Sequence, residues 1–294
     1  MNSRWMIDQG RTVLTAGAVL AVLLLAGGWL FSHPMSVSAN QSVILLPAAM
    51  YHSVTDAGDS PAQYVISPSM LESDLQYLQA HGRETVTIHD LLAYVQDGAA
   101  LPEKPVLLTF DDGYYNNYKY AYPLLKQYGM RAVLSPVASL TERFSQTDEA
   151  EQEAWSYCTG RELQEMADSG VFEIQNHSYD FHELKPRKGC LRMAGETAAA
   201  YRQCFLSDTQ RAQDLFVSLG IEAPVCYTYP YGAVNAEAEA LTAVCGFSVT
   251  LRCEEGVTAL TRDTACLKSI RRNNRDGRWS SAQFWDALLA QTEG

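Results

Sequence analysis

The stretch Pro105-Val106-Leu107-Leu108-Thr109-Phe110-Asp111-Asp112-Gly113-Tyr114 decides the architecture. Its first half is an apolar run of strand length, and it ends in two adjacent carboxylates and a glycine. Adjacent carboxylates at the end of a buried strand repel one another and resist desolvation unless a cation stands near. Taken alone, the pattern is a strand-end turn. Two more polar clusters change that reading. Asn176-His177-Ser178-Tyr179-Asp180-Phe181-His182 follows a strand-like run at 171–175, and Tyr229-Pro230-Tyr231-Gly232 closes another at 224–229. In parallel α/β barrels the active site gathers at the C-terminal strand ends. Three clusters at equivalent ends converge if the sheet closes.

Working outward, strand-like and helix-like segments alternate. Strands are predicted at 42–50, 84–88, 105–110, 131–137, 171–175, 224–229 and 247–251. Helices are predicted at 68–80, 89–95, 120–128, 161–169, 197–219 and 236–244. A last helix starts at Ser280, with Gln283 placed for a capping box. Glycines follow most of the helices. This alternation predicts an α/β fold on a parallel sheet, open or closed into a barrel. The acidic stretch 140–156 is the least regular and reads as a surface insertion.

Residues 12–31 carry no charge and are mostly Ala, Val and Leu. Roughly 20 residues of helix span a bilayer core of about 30 Å. Arg4 and Arg11 precede the segment, so the positive-inside rule places the remainder outside the membrane. The expected organisation is residues 1–31 as cytoplasmic N-terminus and single-pass anchor, 32–41 as tether, and 42–294 as an extracellular catalytic domain. The length of the apolar run favours an uncleaved anchor. Val37-Ser38-Ala39 would serve as a cleavage site, and the product would then be secreted.

The 294-residue chain carries a net charge of −12, with 47% hydrophobic and 19% charged residues. A packed core is expected, and nucleic acid is excluded as a favoured partner. Seven cysteines lie from Cys158 onward. An oxidising compartment permits disulfides, and Cys245–Cys253 and Cys190–Cys204 are the pairs that sequence proximity suggests. The odd count leaves one thiol over.

Asp112, His177 and His182 supply a carboxylate and two imidazoles, a set that holds a divalent ion with positions left open. Such an ion polarises a carbonyl and lowers the pKa of water. Successive strand residues point to opposite sides, so Asp111 is free to act as base while Asp112 binds the ion. The backbone N–H of Tyr231 is the candidate oxyanion donor, with Tyr229 and Pro230 lining the same turn. Tyr114 and Tyr179 are either exposed stacking platforms or core residues. His81 and His89 read as helix-cap residues.

These clusters resemble the polysaccharide deacetylase family, the NodB-homology domain of carbohydrate esterases, over roughly residues 42–275. TFDDGY is similar to its first motif, HSYDFH to its second and YPYG to its third. The resemblance implies a distorted (β/α) barrel of about seven units. It implies a catalytic base at Asp111, and a metal, Zn²⁺ first and Co²⁺, Ni²⁺, Mn²⁺ or Fe²⁺ as alternatives, at Asp112, His177 and His182. It implies release of acetate from N-acetylglucosamine-containing polymers.

Two departures stand out. Many members carry an Arg two residues before the Pro of the third motif to orient the base, where this chain has Thr228. Arg272, in Arg271-Arg272-Asn273-Asn274-Arg275, is the candidate replacement. The family's acid is a late His, and this chain has none after His182. His52, at the end of the first strand, is the candidate proton donor, an arrangement that resembles the poly-N-acetylglucosamine deacetylases. Rival readings are a peptidoglycan or chitin-oligomer deacetylase, a surface carbohydrate-binding module on the same fold, and a non-haem iron oxygenase.

Overall fold

The computed structural model describes residues 43–57, 61–147 and 151–292. The expected anchor and tether lie outside the described residues. Among the described residues, no helix is long and apolar enough to cross a membrane. The chain divides between Ser42 and Val43 into two units, and the fold below is that of the second.

A parallel sheet forms the centre. Strand β6 (Pro105–Asp112) pairs on one side with β2 (Ala48–Tyr51) and on the other with β7 (Ala132–Pro136). Next to β7 runs β8 (Phe172–Ile174), and next to β2 runs the two-residue β12 (Asn273–Asn274). The short β5 (Glu84–Val86) lies against the lower half of β6. Strands β9 (Cys226–Thr228) and β10 (Val249–Leu251) form a separate parallel pair.

Two single bridges join the two sheets. Asn176, just past β8, bridges to Tyr227, and Leu251 bridges to Ile270 on the way to β12. Backbone bonds stitch both seams, including Thr228 N–H to Asn176 O at 2.8 Å and Ile270 N–H to Thr250 O at 2.8 Å. The result is a parallel, distorted barrel ringed by β2, β6, β7, β8, β9, β10 and β12, closed by bridges rather than by full ladders.

Alternation along β6 sorts the core into layers. Val106, Leu108 and Phe110 face the helices, where they pack with Leu71, Leu75 and Leu78 of α1 (Pro68–Ala80) and with Trp285 of α8 (Ser281–Leu289). Leu107 faces the barrel interior with Leu46, Val133, Cys226 and Val249. α2 (Ile88–Leu92) closes this interior from one end through Ile88 and Leu91. Farther up the same inward face come Thr109 and Asp111. Apolar residues thus fill one end of the barrel, and polar residues are left at the other.

The helices start where the sequence signals them. Thr159 and Glu162 form a capping box before α5 (Gly160–Asp168), and Ser280 and Gln283 form one before α8. Other expectations need correction. The predicted strand 42–50 is two strands, because Pro47 divides β1 (Ile44–Leu46) from β2, and β1 pairs antiparallel with β11 (Thr258–Leu260). Helix 120–128 begins as a π-helical turn at Asn117–Ala121 before α3 (Tyr122–Gln127). The stretch 140–156 is helical at its start, in α4 (Ala138–Phe144). The suggested cysteine pairs are not formed, and all seven cysteines are free thiols. His89 is not merely a cap residue. Its Nδ1 meets Glu173 of β8 at 2.9 Å.

Candidate active site

The carboxylates of β6 take separate roles by an unexpected route. Alternation sends Asp111 inward and would send Asp112 out. Asp112 instead adopts φ 70°, and Gly113 follows at φ 79°, so the chain turns over the barrel rim and brings the second carboxylate back to the mouth. Only glycine fits at 113: a Cβ there would stand 2.5 Å from Pro136 Cβ on the neighbouring strand.

His177 leaves β8 at the seam with β9. Its Nδ1–H donates to Thr228 O at 2.8 Å, which turns Nε2 toward Asp112 Oδ1 at 3.4 Å. His182 comes from the far end of the same loop, with Nε2 at 3.0 Å from that oxygen. The loop is not helical. Ser178 is left-handed at φ 74°. Asn176 Oδ1 accepts the Ser178 N–H at 2.7 Å, and Ser178 Oγ accepts the Phe181 N–H at 3.0 Å.

One donor atom each from Asp112, His177 and His182 lies within 4.8 Å of the others. A carboxylate oxygen and two imidazole nitrogens facing one point fit a divalent cation of the Zn²⁺ class. Burial opposes ionisation of Asp112, but hydrogen bonds from both imidazoles hold its carboxyl well below the usual range. His182 is affected in reverse: burial pulls its pKa down, and the Asp112 bond and charge hold it above the ordinary value.

Asp111 is gripped from across the barrel. Arg272 Nη1 donates to Oδ1 at 2.6 Å and Nη2 to Oδ2 at 2.8 Å. The guanidinium also donates to Thr109 Oγ1 and to Arg252 O. Both partners are buried, Asp111 at 2% exposure and Arg272 at 0%. Burial works against ionisation of Asp111, yet Arg272 keeps its carboxyl below the usual carboxylate range. Thr228, where an Arg was expected, instead shares a hydrogen bond with Ser135 at 2.7 Å.

His52 follows β2 directly. Burial lowers its pKa, while the charges of Asp111 and Asp112 pull it up. Its ring meets Tyr64 edge-on, with centroids 4.8 Å apart, and its buried Nδ1 has no hydrogen-bond partner among the described residues.

The third cluster divides. Tyr231, at φ 57° and 40% exposed, stacks on His182 with centroids 4.7 Å apart and donates its hydroxyl to His182 O. Tyr229 is turned into the core, with its hydroxyl on Thr242, and Pro230 is buried. Of the two possible platforms, Tyr179 is buried, bonded through its hydroxyl to Glu142. Tyr114 stacks on Tyr157 beside Asp112.

Sequence reasoning passed over Asn116. Buried at 1% exposure, it accepts the Val54 N–H at 3.0 Å and donates to Ser53 Oγ and Glu153 O at 2.9 Å each. It therefore ties the segment after His52 to the segment after Asp112. Polar side chains directed at distant backbone carry no periodic signal, so no pattern marked it.

The polysaccharide deacetylase family profile matches residues 98–250, just over half of the chain. YxkH of Bacillus subtilis, named as a polysaccharide deacetylase, is 27% identical over 227 residues, 77% of this chain and 71% of that one. A poly-β-1,6-N-acetyl-D-glucosamine N-deacetylase of Staphylococcus aureus is 27% identical over 175 residues. That match spans 58% of this chain and only 55% of the relative. Among solved structures, IcaB from Ammonifex degensii superposes with a TM-score of 0.67 at 23% identity, covering 85% of this chain and 98% of that one. A de-N-acetylase from Aggregatibacter actinomycetemcomitans gives 0.68 at 22%, covering 83% and 100%. These likenesses establish a shared fold. Barrel, strand-end clusters and family profile agree, and the chain belongs to the polysaccharide deacetylase family.

Proposed function

We propose that this chain is a metal-dependent N-deacetylase that hydrolyses acetamido groups of an N-acetylglucosamine polysaccharide. The carrying observation is the buried Asp111–Arg272 fork set beside the Asp112–His177–His182 cluster. A centre that only bound a ligand would have no use for a second ionised carboxylate held ready next to the first. This favours the enzyme over a carbohydrate-binding module. The named activity of the Staphylococcus aureus relative supports β-linked N-acetylglucosamine as the substrate class, and the negative charge of this chain disfavours a polyanion.

In this reading Asp112, His177 and His182 hold one divalent ion, Zn²⁺ first, which supplies Lewis acidity when bound. Asp111 accepts a proton from water as its oxygen attacks the acetamide carbonyl carbon. Arg272 keeps that carboxylate ionised and aimed. The Tyr231 N–H steadies the charge on the carbonyl oxygen. His52 delivers a proton to the nitrogen as the carbon–nitrogen bond breaks, leaving acetate and a free amine. Burial makes a proton on His52 easier to lose than on an ordinary imidazole. Tyr231 lines the mouth as a sugar-stacking surface.

The charge-free run at 12–31 and the arginines before it support action outside the membrane from a single-pass anchor. Detection of the chain in a washed membrane fraction would bear this out, and recovery of a shortened form in the medium would favour secretion.

The test of the activity uses the full chain. It should release acetate from β-1,6-linked N-acetylglucosamine oligomers, stop on chelation, and resume when Zn²⁺ is restored. Faster release from chitin oligomers or peptidoglycan would move the substrate, and no release from any of the three would leave the binding module as the better reading.

A further inference from the structure

Both histidines of the cluster sit on one irregular loop, and a helix on the outside of the barrel holds that loop. α6 (Ala198–Ser218) places Asp208 against it. Asp208 Oδ1 accepts the N–H of Tyr179 at 2.9 Å, and Oδ2 accepts the N–H of Asp180 at 2.8 Å. One turn along the helix, the Arg211 guanidinium lies 3.6 Å above the centre of the Tyr179 ring. From the other side, Ser178 O and Tyr179 O accept N–H bonds from Ala138 and Ser139 of α4.

The need for such a clamp follows from the loop. Buried backbone N–H groups require acceptors, and no ladder or helix supplies them at 179 and 180. Two ligands five residues apart converge on one point only if the backbone between them is fixed. A neutral side chain such as Asn offers one acceptor. A carboxylate offers two in a single plane, matched to two consecutive N–H groups. Burying it is costly: burial pushes the Asp208 carboxyl up to about 6, against the pull of the two N–H bonds. A buried carboxylate is retained here because its shape does what a cheaper side chain cannot.

We propose that Asp208 is a positioning residue for the metal centre, setting His177 and His182 at the spacing that the ion requires. The proposal rests on the reading of Asp112, His177 and His182 as a metal site. Asp208 touches neither the ion nor substrate, and its effect passes through the loop backbone.

The test measures affinity directly, with no substrate. The full chain is stripped of metal and titrated with Zn²⁺ against a chromophoric chelator. Asp208→Ala is expected to raise the Zn²⁺ dissociation constant about 10- to 100-fold. Asp208→Asn, which keeps one acceptor, is expected to fall between that variant and wild type. Thr209→Val, on the same turn but beside Cys245, should bind as wild type does and so controls for general loosening of the helix. With Co²⁺ in place of Zn²⁺, the visible absorption bands of Asp208→Asn should shift, because ligand angles change, and those of Thr209→Val should not. Should Asp208→Ala fail to fold, the Asn variant decides. Wild-type affinity and an unshifted Co²⁺ spectrum in Asp208→Asn would overturn the proposal. Failure of the wild-type chain itself to bind Zn²⁺ or Co²⁺ would instead overturn the metal site.

Discussion

Arg272 holds both oxygens of Asp111 across 161 positions of sequence. The pair is bidentate and buried, and the guanidinium fork matches a carboxylate edge. Arg272→Lys keeps the charge and loses the fork. Misplacing a base by about 1 Å can cost roughly 100-fold in rate, so kcat for acetate release should fall by about that factor with Zn²⁺ affinity unchanged. Arg272→Ala would also leave a buried charge unpaired and should cost about 3–5 kcal/mol of stability, read by denaturant melts. A lysine variant with wild-type kcat would remove the orienting role.

Asn116 should act through His52. Asn116→Ala is expected to lower kcat about tenfold in the wild-type background and to have little effect in His52→Ala, a coupling of about 1 kcal/mol or more. Acetate-release rates for the four proteins of this cycle decide the matter. Independent, multiplying losses would mean that Asn116 serves only the fold, and an unimpaired His52→Ala would dismiss His52 as the acid.

Gly113 has no room for a side chain. Gly113→Ala forces an alanine to φ 79° and drives its Cβ into Pro136. The expected cost is about 2–4 kcal/mol, with weaker metal binding because Asp112 is the preceding residue. Thermal melting and Zn²⁺ titration should move together, and a stable variant with intact affinity would contradict the strained-rim account.

The His89–Glu173 pair gives stability a defined pH dependence. The hydrogen bond that His89 donates to Glu173 raises the His89 pKa above its ordinary value. Its contribution is therefore complete below about 6.5 and fades as pH rises through the raised value. Burial opposes ionisation of Glu173, but the bond from His89 wins and lowers its pKa. That contribution is complete above about 4.5 and is lost as pH falls through the lowered value. Both act together between about pH 4.5 and 6.5. The melting temperature lost in Glu173→Gln should be largest near pH 5.5 and smaller at pH 8.5. A loss that is equal at both would show that charge on the pair contributes nothing.

The site was legible wherever its chemistry sat at the end of an apolar strand. Asp111, Asp112, His177 and Tyr231 announced themselves in this way because strand ends in a closed parallel sheet share one face. Arg272 was reachable only as a guess from what was missing at Thr228. The strand it precedes, β12, is two asparagines long and too short for any period to register. Asn116 and Asp208 were invisible because each works on backbone atoms far away in sequence. The turn at Asp112 was hidden for another reason: alternation predicts a side chain pointing outward, and two left-handed residues, Asp112 and Gly113, reverse it. Cysteine spacing misled, since nearness along the chain does not bring thiol sulfurs together.

β12 carries one further consequence. Its flanking arginines leave in opposite directions. Arg272 points inward to Asp111, and Arg275 points outward to Asp74 on α1, where Tyr51 also donates. Arg275 N–H binds Met50 O, on the strand that leads to His52. Asp111 and the strand leading to His52 thus both lean on the four residues 272–275. Losing residues 272–275 would therefore strip Asp111 of its guanidinium and β2 of its outer neighbour in one step.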